Sequence, residues 1–188
     1  MGPVQLFEVA TIAARLVKVS DVATTTAHRR ESAAANTVQP LSAGELFAWR
    51  SYVETTADLS SALEADLIPT GLTLGDYQVL VFLSEAEHHS MRMCDLAANL
   101  QLSPSGLTRR LDGLVRSGYV DRRPSSADRR VMLAILTEPG AAKLADAYPV
   151  HLASVRTHII DRLEPADVES FGRIFATIQG GLRVGRNA

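Results

Sequence analysis

Val4, Phe7, Ala10, Ala14 and Val17 recur at the spacing of one helical face and predict an amphipathic helix over roughly 4–20. The stretch that follows, as far as Pro40, is small and polar, with proline as a break. Residues 1–40 therefore read as an extension, an extra helix plus a linker. Docking on the body, packing in a dimer and partial disorder all stay open for it. From Glu45 to about Leu67, the positions Leu46, Trp49, Val53, Leu59, Leu63 and Leu67 mark a long helix with an apolar stripe, closed by Pro69 and Gly71. Thr73 with Asp76 forms a capping box for the next helix, which points Tyr77, Leu80, Val81 and Leu83 inward.

His88-His89-Ser90 predicts a turn, and a short helix is expected over roughly 94–100. Ser103 then suits an N-cap and Pro104 a first helical position, where a missing N–H is harmless. That helix buries Leu107, Leu111 and Leu114/Val115 and stops at Gly118. Tyr119–Arg123 and Val131–Leu136 read as the two strands of a hairpin, and the segment from Pro124 to Asp128 forms its protruding tip. Thr137 opens a helix predicted to reach about Leu163, bent near Pro149. Pro165 starts the last one, whose Val168, Phe171, Ile174, Phe175, Ile178 and Leu182 share an apolar face. The expected fold is mainly α with a small antiparallel β-hairpin.

Composition narrows the class. With 188 residues, 46% of them hydrophobic, the chain fits one domain with an appended segment. No apolar run approaches the roughly 20 residues of a membrane span. Glu8, Arg15 and Lys18 do not fit a signal peptide, and Leu6 stands where myristoylation would want Ser or Thr. A cytoplasmic globular protein with no membrane partner is expected. The single cysteine, Cys94, excludes an intrachain disulfide framework and a multi-cysteine zinc site. Adjacent His88 and His89 in a turn lack a fixed ligand geometry, so no metal or cofactor is expected. No phosphate loop, nucleophile elbow or HExxH motif is present, so no enzyme is expected.

Charge distribution then changes the picture. The chain carries −2 overall, yet Ser103 to Arg130 holds seven arginines against three acids. A basic stripe on an acidic body is a footprint for a polyanion. Helix, short helix, turn, helix and hairpin, in that order, describe a winged helix-turn-helix, whose second helix enters the major groove. On that helix Ser103, Ser105, Thr108 and Arg109 lie near the end that meets base edges. Arg109 and Arg110 can reach phosphate or guanine, and Gly106 permits close approach to the sugar-phosphate backbone. Arg122, Arg123, Asp128, Arg129 and Arg130 form the candidate wing. There Asp128 is expected to hold an arginine extended toward the minor groove. A winged-helix protein-interaction module that does not bind DNA is the rival reading, and the basic helix argues against it.

Several stretches carry a family resemblance. They are Leu72-Thr73 with Asp76-Tyr77, Met91-Arg92-Met93 before Leu96-Ala97, and the run Ser103-Pro104-Ser105-Gly106-Leu107-Thr108-Arg109-Arg110-Leu111. Leu114-Val115 with Gly118-Tyr119-Val120 and Asp128-Arg129-Arg130 leading to Leu136-Thr137 and Gly140 complete the set. Together they resemble the MarR family of bacterial transcriptional regulators. The likeness implies a domain over 41–188, with a winged unit at about 72–137 and dimerisation helices at about 45–67 and 138–182. It also implies a homodimer on a palindromic double-stranded DNA operator, acting as a repressor released by a small aromatic or phenolic ligand. Trp49, Tyr52, Tyr77 and Gln78 are then candidates to line the ligand cleft. An N-terminal extension and arginines at 109 and 122 resemble the family's urate-responsive members. Gln78 in place of an acid, and an extension without tryptophan, argue against urate itself. The family also contains cysteine-based peroxide sensors, which makes a redox regulator acting through Cys94 an alternative. Those sensors place the thiol at the start of the first core helix, however, and Cys94 begins the short one.

Overall fold

The computed structural model describes residues 39–184, so the helix expected over 4–20 and nearly all of its linker lie outside the described residues. Helix α1 spans Ala43–Leu67 and starts from a capping box, in which Ser42 and Glu45 satisfy each other's backbone N–H groups. Only its C-terminal end enters the core, through Leu63 and Leu67. A single 3-10 turn at Ile68–Thr70 and Gly71, at φ 80°, reverse the chain. Helix α2, Leu74–Glu85, carries the expected Thr73–Asp76 capping box. Its Tyr77 and the run Val79–Leu83 are all buried, so it is enclosed on nearly every side instead of along one stripe.

His88 and His89 follow, both at positive φ (54° and 51°), and redirect the chain into strand β1, Ser90–Arg92. This strand is added to the expected hairpin, which forms as β2 and β3. With β2, Val120–Pro124, and β3, Met132–Leu136, it makes a three-stranded antiparallel sheet of order β1-β3-β2. Met91 pairs with Ala134, and Arg122 pairs with Ala134 from the other side. Three residues are too few to show a period of two, and the hydrogen bonds that define β1 come from a strand more than forty residues downstream.

Helices α3, Met93–Asn99, and α4, Pro104–Arg116, form the helix-turn-helix. Ser103 caps α4 by accepting from the Gly106 N–H at 3.1 Å, and Gly118 at φ 73° terminates it. Helix α5, Glu138–His158, runs unbroken through Pro149 but ends before the expected Leu163, in a 3-10 turn at Ile160–Arg162. The Arg156 guanidinium donates to Asp161 at 2.6 Å across that break, and neither glycine nor proline marks it in the sequence. Helix α6 spans Pro165–Val184.

The core gathers Leu67, Leu80, Leu83, Leu96, Leu107, Leu111, Val120, Ala134 and Leu144, so α2, α3, α4, the sheet and α5 share one apolar centre. Gly140 lets α5 lie against the α4–β2 turn: a Cβ there would fall 2.0 Å from the Tyr119 carbonyl oxygen. The Thr137 hydroxyl, donating to the Gly118 carbonyl at 2.6 Å, secures the same junction. A rigid scaffold thus holds α4 and the β2–β3 loop.

Candidate nucleic-acid interface

The first turns of α4 present Ser103, Ser105, Thr108 and Arg109 on the surface. Leu107, Leu111 and Leu114 hold the opposite side in the core. Ser103 is engaged as the cap and lies 3.2 Å from the Ser105 hydroxyl. The Thr108 hydroxyl donates back to the Pro104 carbonyl at 2.9 Å, leaving its lone pairs outward. Gly106 is close to its own cap, since a Cβ there would sit 3.1 Å from Ser103 Oγ.

The seven arginines of the basic stripe divide into two groups. Three have carboxylate neighbours. Arg110 Nη1 lies 3.8 Å from Asp76 Oδ1, Arg122 Nη2 lies 2.9 Å from Asp112 Oδ1, and Arg123 pairs with Asp121. Arg122 also donates from Nη2 to the Thr108 carbonyl at 2.9 Å, and its buried Nε has no hydrogen-bond partner among the described residues. It therefore ties β2 to the recognition helix from the protein side. Arg109, Arg116, Arg129 and Arg130 are exposed, and among the described residues none of them makes an ion pair. These four are the arginines of the stripe whose charge no carboxylate pairs among the described residues.

The wing loop is ordered by Asp128, although not in the way expected. Its carboxylate accepts from the Arg130 backbone N–H at 2.9 Å, and its carbonyl accepts from Val131 N–H at 2.9 Å. Among the described residues no ion pair joins Asp128 to a guanidinium. A one-methylene side chain reaches its own loop backbone more readily than the end of a long neighbour. Asp128 therefore shapes the turn, on which Arg129 and Arg130 are exposed.

The four candidate ligand residues fall into two places. Trp49 and Tyr52 stack along α1 with ring centroids 5.9 Å apart, and Tyr52 meets Phe175 of α6 at 6.2 Å. Tyr77 is instead 2% exposed and faces His151 of α5, 4% exposed, at 4.4 Å. Among the described residues neither Tyr77 Oη nor His151 Nδ1 has a hydrogen-bond partner. Burial, reinforced by the charges of Tyr148 and Glu85, pushes the Tyr77 phenol well up, and burial alone pulls His151 down. Gln78, next along α2, is half-buried. Sequence reading missed His151 because a lone histidine on a helix carries no local signal.

Two further groups of polar side chains resemble reactive sites. Asp66 accepts from Ser154 Oγ at 2.6 Å and lies 2.9 Å from His158 Nε2. The carboxylate sits between the other two groups, so the histidine does not activate the serine hydroxyl, and the cluster ties α1 to α5. Those hydrogen bonds, Ser154 first, hold the Asp66 carboxyl below the usual range. Cys94 is exposed, and its thiol donates to Asp95 Oδ1 at 3.4 Å, an acid where an activating cation would be wanted. His89 Nδ1 contacts the Ser84 carbonyl, and no cluster of metal ligands occurs among the described residues.

Known proteins carry the same architecture. A MarR family model matches residues 70–131, from the end of the α1–α2 turn to the end of the β2–β3 loop. The chain is 39% identical to AbsC, a MarR family transcriptional regulator from Streptomyces coelicolor. That alignment covers 78% of this chain and 99% of AbsC, with a TM-score of 0.72. It is 32% identical to Sco3205, a MarR family transcriptional regulator of the same organism solved in complex with DNA. There the alignment covers 78% of this chain and 92% of that one, with a TM-score of 0.73. The HTH-type transcriptional repressor YetL of Bacillus subtilis is 28% identical over 144 residues, 75% of this chain and 86% of YetL.

Proposed function

The chain belongs to the MarR family of transcriptional regulators, and from that membership we propose that it binds a palindromic double-stranded operator as a homodimer and represses until a small aromatic or phenolic ligand releases it. The observation that carries the DNA reading is the exposure of Arg109, Arg129 and Arg130 without ion-pair partners among the described residues. They stand on two elements that Arg122 joins into one unit. Arg109, with Ser103, Ser105 and Thr108 beside it, is placed to meet base edges, and a bidentate arginine favours guanine. Gly106 keeps the approach open. Arg123, Arg129 and Arg130 on the wing serve the phosphates and the narrow minor groove, with Asp128 shaping the turn that offers them. The DNA-bound relative at 32% identity supports this assignment.

The repressor reading leans on the similarity to YetL. For the ligand, the orphaned Tyr77 Oη and His151 Nδ1 supply a donor and an acceptor between α2 of the winged unit and α5. Gln78 adds an amide nearby, and Trp49 and Tyr52 supply aromatic surface on α1.

Selection of bound duplexes from a random pool is the test. It should enrich a palindrome whose half-site centres lie about one helical turn apart, protected on both halves. Enrichment of a single asymmetric half-site would contradict the dimeric reading. Aromatic acids and phenols screened for release should bind more weakly when operator is present, because only differential affinity shifts an equilibrium. Equal affinity with and without operator would sink induction by that compound.

A further inference from the structure

Arg110 leaves the recognition helix and lies across the first turn of α2. Its Nη1 is 3.4 Å from Thr73 Oγ1 and 3.8 Å from Asp76 Oδ1, so it touches the two residues of the α2 capping box. Gly75 lies directly beneath it. A Cβ built on Gly75 would fall 1.8 Å from Arg110 Nη1 and 2.2 Å from Cζ, so the guanidinium occupies the space of the missing side chain. Gly75 is not at positive φ, so its backbone does not demand glycine, and alanine is the better helix former there. The guanidinium accounts for the glycine. A cation at a helix N-terminus opposes the macrodipole, and Asp76 in the same turn offsets it.

On the DNA-binding reading above, we propose that Arg110 is a positioning residue that takes no DNA phosphate. Its seam with Gly75, Thr73 and Asp76 fixes the angle between α2 and the recognition helix, and through it the sequence selectivity of the winged unit.

The test uses the full chain, as wild type, Arg110→Ala, Gly75→Ala and the double variant. Each is titrated with a duplex enriched from a random pool and with a shuffled duplex of equal composition, between about 50 and 200 mM salt. Gly75→Ala is expected to fold, because the atoms in the way are the far end of a flexible side chain. Positioning predicts that each single variant loses about tenfold for the enriched duplex and little for the shuffled one. The salt slope stays as in wild type, and the double variant is no worse than the weaker single, as expected of two residues in one contact. A phosphate contact predicts the reverse. Arg110→Ala would then lower the slope by about one unit and weaken both duplexes alike. Gly75→Ala, which only frees the guanidinium, would leave binding unchanged or tighter. Either of those results overturns the proposal, as does unchanged selectivity in both variants. A pool without enrichment would overturn the DNA reading and this inference together, whereas enrichment followed by phosphate-like variants overturns this inference alone.

Discussion

Arginine 109 and histidine 151 show how differently two single residues can matter. Arg109 is exposed at the reading end of α4 and contributes nothing to the core. Arg109→Ala should therefore leave thermal unfolding unchanged while costing about 1–3 kcal/mol of DNA binding per half-site, with relaxed preference at one base position. Uniform weakening on every sequence, read by titrating single-base operator variants, would make it a phosphate contact instead. His151 is the reverse case, enclosed against Tyr77 with an unpartnered Nδ1. Burial lowers its pKa below the ordinary 6.5, so below that pH the unfolded chain binds the extra proton and the folded chain resists it. Stability should fall as pH drops through about 6.5, with a slope of at most about 1.4 kcal/mol per pH unit for one group. His151→Phe should flatten urea midpoints between pH 7.5 and 5.5. It should spare the loss at lower pH, where protonation of Asp66 releases Ser154 and His158. An equally steep variant would place the upper titration elsewhere.

Among the elements, the wing depends most on local chemistry. Asp128 closes the loop on its own backbone and projects Arg129 and Arg130, which have no ion-pair partner among the described residues. Replacing both with alanine should leave the fold intact and weaken binding across sequences. It should flatten the salt dependence by roughly one unit for each phosphate that no longer meets a guanidinium. An unchanged slope would make the hairpin structural. Such local devices are legible in the sequence: the capping residues Ser103 and Thr73, Pro104 at the start of α4, and Gly118 at its end stand where their conformational preferences put them. The apolar faces of α2 and α4 are legible for the same reason, since a helical period is written in neighbouring residues. What lies hidden is non-local. Strand β1 exists because β3 pairs with it. The packing of Arg110 on Gly75, 35 positions away, has no signal in the neighbouring sequence. The Asp66–Ser154–His158 cluster spans 92 positions and has no motif. The exit of α5 at His158 lacks any breaker residue, so the periodicity runs past it.

At the scale of the whole molecule, the proposed homodimer rests on two helices with exposed apolar faces. Helix α6 is twenty residues long, yet Phe171, Ile174, Ile178 and Leu182 are exposed along it, and its ring contacts to the body run through Tyr52 and Phe175. Phe47, Trp49 and Val53 are exposed on α1 as well. An isolated helix of this length is marginal in water, and contiguous apolar surface on this scale marks an interface. In the proposed homodimer a second copy would cover both helices and present two winged units to the two halves of a palindrome. Ile174→Glu with Ile178→Glu tests this cleanly, because both residues are about half exposed in the single chain (49% and 52%) and the protomer has little to lose. Two carboxylates forced into an apolar seam cost several kcal/mol, enough to separate the copies. Sedimentation should then report a monomer with wild-type helical content. Operator affinity should fall by about 10²–10⁴-fold, since each winged unit would bind without the effective concentration its partner supplies. A variant that still sediments as a dimer would move the interface away from α6, and one that is monomeric yet protects both half-sites at wild-type concentration would separate DNA reading from dimerisation.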